Sequence, residues 1–178
     1  MEPDRALSRD RGVETDEVAA LYSRACPSLT GLLTAIGGNR ADAEEIAQDA
    51  FVRLLENWDR VRDYADPEAW LRTVAVRQLV SRQRRRQVAA RGMAALGRRA
   101  ATAPSSAGPG HDVELVESLV ELPVAHRAVL VLHHLHDLSV NEVAELLRIP
   151  TGTVKSRLSR ARAALAPLLA NEDGARHV

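Results

Sequence analysis

The stretch IPTGTVKSRLSRARAAL occupies residues 149–165, and after its proline it contains four basic residues and no acidic one. Its apolar residues recur at steps of four and three, which places them on one face of an α-helix. They are Val154, Leu158, Ala161, Leu165 and, just beyond the stretch, Leu168. A rotation of about 100° per residue puts short hydroxyl side chains and long cations on the opposite face. The pattern predicts a helix with a buried aliphatic face and a basic, hydroxyl-rich surface.

A second helix is predicted immediately before this one. Ser139 and Glu142 have the S-x-x-E spacing of a capping box, which indicates a helix start. Pro150 should end that helix, because the residue before a proline is pushed out of the helical region, and Thr151 can cap the next one. Two helices joined by so short a turn predict a helix-turn-helix.

The exposed face of the second helix has the residue types that suit a DNA major groove. Short hydroxyl residues permit close approach, and cations neutralise phosphate or donate to guanine. The alternative is a solvated basic face on an ordinary surface helix. The absence of any acid between Arg148 and Ala170 counts against that alternative, since surface helices usually intersperse both signs of charge.

Helical periodicity also fills the first half of the chain, where we find no strand pattern. Within it, Pro27 is expected to interrupt or restart the first helix, and the glycines before Asn39 are expected to end that helix. Asp42 is expected to cap the next helix, with Glu45 as its capping-box partner. Pro67 fits the first position of a further helix. These elements predict a compact unit of about four helices.

The domain organisation follows from where periodicity starts and stops. The chain is predicted to be all-α, with two small helical domains joined by a flexible linker. The predicted segments are a disordered tail at 1–15, a first domain at 16–86, a linker rich in Pro, Ser and Gly at 87–111, a second domain at 112–170 and a tail at 171–178.

The net charge of zero conceals an uneven distribution. Residues 40–68 contain nine acids and four arginines, whereas residues 69–111 contain nine arginines and no acid. A protein with an acidic face and basic faces suggests two kinds of partner, one of them polyanionic.

Composition narrows the remaining possibilities. A single cysteine, Cys26, excludes an internal disulfide framework and is expected to be a small core residue. No apolar run approaches membrane-spanning length and the chain does not begin with a signal peptide, so we expect a cytoplasmic protein without membrane contact of its own. Phosphate-binding loops, nucleophile motifs and metal-ligand spacings are absent, which predicts no enzyme, no catalytic residue and no cofactor.

Three long motifs resemble the ECF (extracytoplasmic function) sigma factors, the small sigma-70 family initiators of bacterial RNA polymerase. LSVNEVAELLRIPTGTVKSRLSRARAAL is similar to their C-terminal helix-turn-helix, DAEEIAQDAFVRLLENWDRV resembles their polymerase-binding helix, and PEAWLRTVAVRQLVSRQRRR resembles the helix that recognises melted promoter DNA. The resemblance implies a sigma region 2-like first domain and a sigma region 4-like second domain. It also implies core polymerase (clamp helices and flap), promoter DNA and an anti-sigma factor as partners.

The resemblance also implies residue roles. The residues that it implies for polymerase contact are Gln48, Asp49, Phe51, Val52 and Leu55. Phe51 by itself is more typical of a core residue. The residues that it implies for recognition of the −10 element are Asp63, Tyr64, Arg77, Ser81, Arg84 and Arg85. Those that it implies for the −35 element are Thr153, Lys155, Ser156, Arg157 and Arg160. Trp70, near the loop that receives a flipped base in the family, is expected to be buried.

Two features depart from the pattern or compete with it. Arg77 and Ser81 stand where many family members have Asn and Asp, which leaves the −10 preference open. His133, His134 and His136 invite a metal or pH-switch hypothesis, but without a further clustered ligand we expect partly exposed histidines and no metal. A regulator with a LuxR-type helix-turn-helix is the alternative function, and the first half shows none of the strand–helix alternation expected of a receiver domain.

Overall fold

A computed structural model describes residues 4–95 and 119–175, with side chains placed for residues 16–92 and 119–166. Within these ranges the regular structure is entirely helical. The helices are α1 (Asp4–Gly37), α2 (Arg40–Glu56), α3 (Trp58–Val61), α4 (Pro67–Ala95), α5 (Val124–His134), α6 (Val140–Leu147) and α7 (Thr151–Ala175). The first four form one domain and the last three form the other.

Several helices extend beyond the segments predicted for them. Helix α1 begins at Asp4 and includes residues 4–15, which the sequence predicts as a tail. Helix α4 continues to Ala95, inside the predicted linker, and α7 continues into the predicted C-terminal tail. Once a helix is nucleated, each further residue adds a hydrogen bond, so helices propagate past the residues that pack. The rest of the predicted linker, 96–111, lies outside the described residues.

Helix α1 is continuous through Pro27, contrary to the predicted interruption. A proline inside a helix removes one backbone hydrogen bond and crowds the preceding turn. Here the residues on both sides of it are buried on one face, among them Leu21 and Leu33. Burial of this apolar stripe offsets the lost hydrogen bond, and the helix continues to Gly37.

The turn into α2 is capped differently from the prediction. Gly38 adopts the left-handed conformation (φ +74°) that glycine tolerates. Asn39, not Asp42, is the N-cap, because its side chain accepts a hydrogen bond from the backbone N–H of Asp42 at 2.9 Å. Asp42 is therefore left free to bind elsewhere with its carboxylate.

Aliphatic residues of α1, α2 and α4 form the core of the first domain. The largest fully buried side chains there are Leu33, Ile36, Ile46, Leu54, Val61, Leu71, Val76 and Leu79. Pro67 begins α4 as predicted, and the Asp66 carboxylate accepts from the N–H of Ala69 at 2.9 Å. Trp70 is only partly buried and packs against this core.

The second domain contains the predicted helix-turn-helix. Ser139 and Glu142 form the predicted capping box, with each side chain bonded to the other's backbone N–H. Helix α6 ends at Leu147, and Arg148 then takes the left-handed conformation (φ 53°) before Pro150 and α7. The core here is built from Val129, Val131 and Leu132 of α5, Val143 of α6, and the aliphatic face of α7.

The two domains are in contact. Helix α5 packs against α1 and α4, and α6 packs against α4. The most specific polar contact joins Arg77 of α4 to backbone carbonyls of α6. The helix-turn-helix therefore rests on the helix that the sequence assigns to the −10 element.

Candidate nucleic-acid and polymerase interfaces

Helix α7 has the predicted division into a buried and an exposed face. Val154, Leu158, Ala161 and Leu165 are buried, while the predicted Leu168 lies beyond the described side chains. On the other side Lys155, Ser156 and Arg160 are exposed, and Thr153 and Arg157 are half-buried. The Ser156 hydroxyl donates to the Thr153 carbonyl at 3.0 Å, so in this conformation its hydrogen is already bonded. Thr153, Ser156 and Arg160 thus lie on the side away from the core, with Lys155 and Arg157 on its two flanks.

The start of α5 contributes a residue that the sequence did not indicate. The pKa of His126 is lowered by burial and by the nearby charges of Arg157 and Arg160. A neutral imidazole adds no positive charge to a surface that already carries two guanidinium groups. His126 therefore belongs to the rim of the predicted −35 surface.

A second basic strip borders the same helix. Lys155, Ser159 and Arg162 line an open groove together with His133 of α5. Arg162 donates to Nε2 of His134 at 3.0 Å, which orients the guanidinium along the groove. Cations beside a base-contacting face are suited to bind the DNA backbone. Periodicity alone could have flagged Arg162, since it follows Lys155 by seven residues on the helix.

The three histidines around residue 133 have protein surroundings of their own. The Nδ1 atom of His133 lies 2.7 Å from the Leu138 carbonyl, and His134 accepts from Arg162. The pKa of His134 is lowered by burial and by the adjacent His133 and Arg162. Within the described part of the chain, no three His, Cys, Asp or Glu side chains are arranged to hold a metal ion.

Helix α4 presents arginines on two different faces. Arg86 donates to both carboxylate oxygens of Asp42, and Arg82 lies 2.8 Å from the Glu45 carboxylate. Gln78 on the same side donates to Asp49 at 2.6 Å. Part of the acid–arginine asymmetry in the sequence is therefore neutralised between α2 and α4, within the first domain.

The other face of α4 carries the predicted −10 residues. Ser81, Arg84 and Arg85 are exposed, and neither arginine has a hydrogen-bond or ion-pair partner among the residues that the structure describes. Arg77 differs from them. It is half-buried, and it donates to the Leu146 carbonyl at 2.7 Å and the Glu145 carbonyl at 3.0 Å. Its role at −10 DNA stays a prediction, although two of its five N–H donors are bonded to α6 in this conformation.

The remaining −10 residues lie in the loop before α4. Asp63 and Tyr64 are exposed, and 41% of Tyr64 is accessible. The Tyr64 ring is thus available as a stacking surface, whereas Trp70 is partly buried against the core.

The predicted polymerase-binding residues of α2 separate into two groups. Gln48, Val52 and Leu55 are exposed, with more than half the surface of Val52 and Leu55 accessible (53% and 55%). Phe51 is only 5% exposed, and its ring lies 4.7 Å from that of Tyr22. Asp49 is exposed but bonded to Gln78. Phe51 thus lies in the core, as its residue type suggests, and its predicted contact with polymerase stays a prediction.

The chain matches two known family models, one in each domain. The sigma-70 region 2 family matches residues 21–88, and the sigma-70 region 4 family matches residues 112–165. ECF sigma factor EcfG of Rhodopseudomonas palustris is 32% identical over 160 residues, which cover 87% of this chain and 86% of that protein. The chain belongs to the ECF sigma factors. A second relative of this sigma factor, SigW of Bacillus subtilis, is 30% identical over 72% of this chain and 75% of its own length.

A solved structure supports the same fold. The sigma factor RpoE of Bartonella quintana, crystallised with the anti-sigma factor NepR, superimposes with a TM-score of 0.66 at 23% identity, covering 86% of this chain and 97% of that one. The predicted all-α, two-domain fold and the ECF assignment are confirmed, and the LuxR-type alternative is not supported. Sigma factors are transcription initiation factors, not enzymes. Among the described residues, no helix of this sigma factor is long and apolar enough to cross a bilayer.

The Asp42 ion pairs give a pH-dependent prediction. Hydrogen bonds from Arg86 and the charges of Arg86 and Arg82 hold the pKa of Asp42 below its usual value. A depressed folded-state pKa means that this stabilisation is present above about pH 4 and is lost as the pH falls through the folded-state pKa. Asp42→Asn should therefore lower the free energy of unfolding at neutral pH, and the difference from wild type should shrink in acid. Urea unfolding at a series of pH values measures this difference in the free energy of unfolding.

The matched control for this prediction is Glu17→Gln, which removes an exposed carboxylate from α1. We expect that change to stay within about 0.5 kcal/mol of wild type throughout. A difference between Asp42→Asn and wild type that does not vary with pH would contradict the ion-pair account.

Proposed function

We propose that the two domains of this sigma factor divide the promoter between them. The first domain binds the clamp helices of core RNA polymerase and captures the opened −10 strand, and the second binds the −35 element as intact duplex and contacts the polymerase flap. The protein acts in the cytoplasm, where its polymerase is, and performs no catalysis itself. The observation that carries the proposal is the exposed hydroxyl-and-cation face of α7 directly opposite a fully packed aliphatic face.

The shape of α7 suits a major groove. An α-helix is about 10–12 Å across with its side chains, and the B-DNA major groove is about 12 Å wide. The buried side of α7 fixes the helix on the domain, and Lys155, Ser156 and Arg160 extend outward from it. Arginine and lysine donate to the acceptors of guanine, and hydroxyls bond to several bases or to phosphate. The flanking strip at Arg162 extends the contact to the backbone.

The outer face of α4 suits single-stranded DNA. Arg84 and Arg85 are exposed cations without partners among the described residues, and they follow Ser81 on the same helix. Tyr64 offers an accessible ring at the start of that helix. An electrostatic track combined with a stacking surface is the usual arrangement for holding an unpaired strand.

The exposed face of α2 suits a protein partner. Val52 and Leu55 are one turn apart and largely accessible, with Gln48 on the same side. Adjacent exposed apolar side chains flanked by polar ones are typical of a protein-binding surface. We assign this surface to core polymerase, in agreement with the family motif that it occupies.

We also propose that an anti-sigma factor regulates the protein. The support is the crystal structure of Bartonella quintana RpoE with NepR, whose sigma chain has this fold over nearly its whole length. An inhibitor that covers either the α2 or the α7 surface would prevent promoter recognition.

The polymerase surface is tested by Val52→Asp combined with Leu55→Asp. Because both residues are exposed, the fold should be retained, while two carboxylates placed in an apolar contact should lower the affinity for purified core polymerase about tenfold or more. The control is Val88→Asp, the same chemical change at an exposed valine of α4. Equal affinity of the double variant and wild type for core polymerase would refute the assignment.

The −35 surface is tested by Lys155→Ala combined with Arg160→Ala. Reconstituted with core polymerase and a genomic promoter library, this variant should lose at least about fivefold in transcription from −35-dependent promoters. The salt dependence of duplex binding should also weaken, because fewer counterions are released.

Core polymerase binding measured on the same preparation is the internal control and should remain at the wild-type level. If core binding fell as much as transcription did, the division of labour between the domains would be refuted.

A further inference from the structure

Arg77 connects the two domains through the end of a helix. Its Nε donates to the Leu146 carbonyl at 2.7 Å, and a terminal nitrogen donates to the Glu145 carbonyl at 3.0 Å. Both carbonyls belong to the last turn of α6, the first helix of the helix-turn-helix. The last carbonyls of a helix lack intrahelical partners and carry partial negative charge, so a guanidinium fork is a favourable ligand for them.

The turn after α6 satisfies only part of that helix end by itself. The N–H of Ile149 donates to the Ala144 carbonyl at 3.0 Å, and the N–H of Arg148 donates to the Glu145 carbonyl at 3.2 Å. Among the described residues, the Leu146 carbonyl has Arg77 as its donor. A residue of the first domain therefore completes the cap of a helix in the second.

The same residue lies on the face of α4 proposed for DNA. Ser81 and Arg84 follow Arg77 by four and seven residues, so the three side chains share one side of the helix. A guanidinium with two donors committed to α6 cannot offer them to phosphate or base. Arg77, the first residue of the proposed −10 face, is thus engaged by α6, while Ser81, Arg84 and the outer face of α7 remain exposed in the same conformation.

The closed arrangement is too small to contact both promoter elements. The longest helix, α1 with 34 residues, is about 51 Å long, whereas two elements about 25 base pairs apart are separated by about 85 Å. The segment between Ala95 and Leu119 could bridge at most about 80 Å when fully extended. If the proposed function is right, the domains must separate before both elements are bound, and the Arg77 contact must break.

A second contact between the domains involves a buried arginine whose hydrogen bonding is incomplete. Arg127 of α5 is 3% exposed, and it donates to the Leu119 carbonyl at 3.2 Å while its Nε has no partner. Burial lowers the pKa of Arg127 to about 10, so its charge is held at a cost. It lies beside Gly38 of the first domain, where an added Cβ would be 3.5 Å from its guanidinium and 3.0 Å from Val120. Opening this contact would rehydrate a poorly satisfied cation.

We propose that Arg77 is an interdomain latch. Its fork on the end of α6 holds the helix-turn-helix against the −10 helix in a closed resting state, and binding of core polymerase and promoter to the separate domains releases it. In the closed state, Arg77 thus regulates access to the −10 face.

The test measures the distance between the domains in the full-length chain. Nitroxide labels on cysteines introduced at Arg60 of α3 and Ala164 of α7, in a Cys26→Ser background, report it by double electron–electron resonance. We expect wild type to give mainly the short distance of the closed state. Arg77→Ala should raise the ratio of long to short distances about tenfold or more, because it removes both charge-assisted hydrogen bonds to α6. Arg77→Lys keeps the charge without the planar guanidinium, so its ratio of long to short distances should lie between those of wild type and Arg77→Ala.

Arg84→Ala is the matched control, because it removes an arginine from the same face of α4 that has no partner among the described residues. It should leave the distance distribution unchanged, whereas Arg77→Ala should shift it toward the long distance. Unchanged distances in both Arg77 variants would overturn the latch. Failure of wild type to bind core polymerase would instead refute the proposed function. The measured distances would still test whether Arg77 holds the two domains together.

Discussion

The ion pairing between α2 and α4 determines which arginines of α4 remain exposed on the face that we propose for DNA. Helix α4 carries arginines on two faces, and the acids of α2 reach only one of them: Arg86 and Arg82 are bound by Asp42 and Glu45. These contacts act together with the aliphatic packing of Leu71 and Leu79 to fix the rotation of the helix. The opposite arginines are consequently left to solvent. Without this partition, a uniformly basic helix would have no defined DNA-binding face.

The faces of the helices could be predicted from the sequence because they depend on the helical period alone. The buried and exposed sides of α7 and the Ser139–Glu142 capping box are local features, settled by residues three to seven positions apart. The ECF motifs likewise lie in continuous stretches. Sequence reasoning therefore identified the fold, the family and most of the residues on the candidate −35 surface.

Features that depend on distant residues were missed or misassigned. Asp42 resembles an N-cap in sequence, but Asn39 takes that role and Asp42 pairs with an arginine 44 residues away. Arg77 resembles a −10 residue, yet its partners lie 68 and 69 residues further along the chain. Phe51 matches the polymerase motif but is buried, with its ring in tilted contact with that of Tyr22. Each outcome is decided by tertiary packing, which the spacing of residues along the chain does not encode.

The closed structure leaves the two nucleic-acid surfaces unequally accessible. The α7 face is open, whereas the α4 face is engaged at Arg77. In our proposal, contact with the −35 duplex can precede opening, whereas Arg77 becomes accessible to the −10 strand only after it. This order would place regulation at the interface between the domains.

The division of the promoter between α7 and α4 is tested most directly by site-specific photo-crosslinking in the complete polymerase–promoter complex. A photoreactive residue at Ser156 should crosslink to duplex DNA around −35, and one at Arg84 should crosslink to the opened strand around −10. Crosslinks from both positions to the same element, or an exchange of the two, would contradict the account.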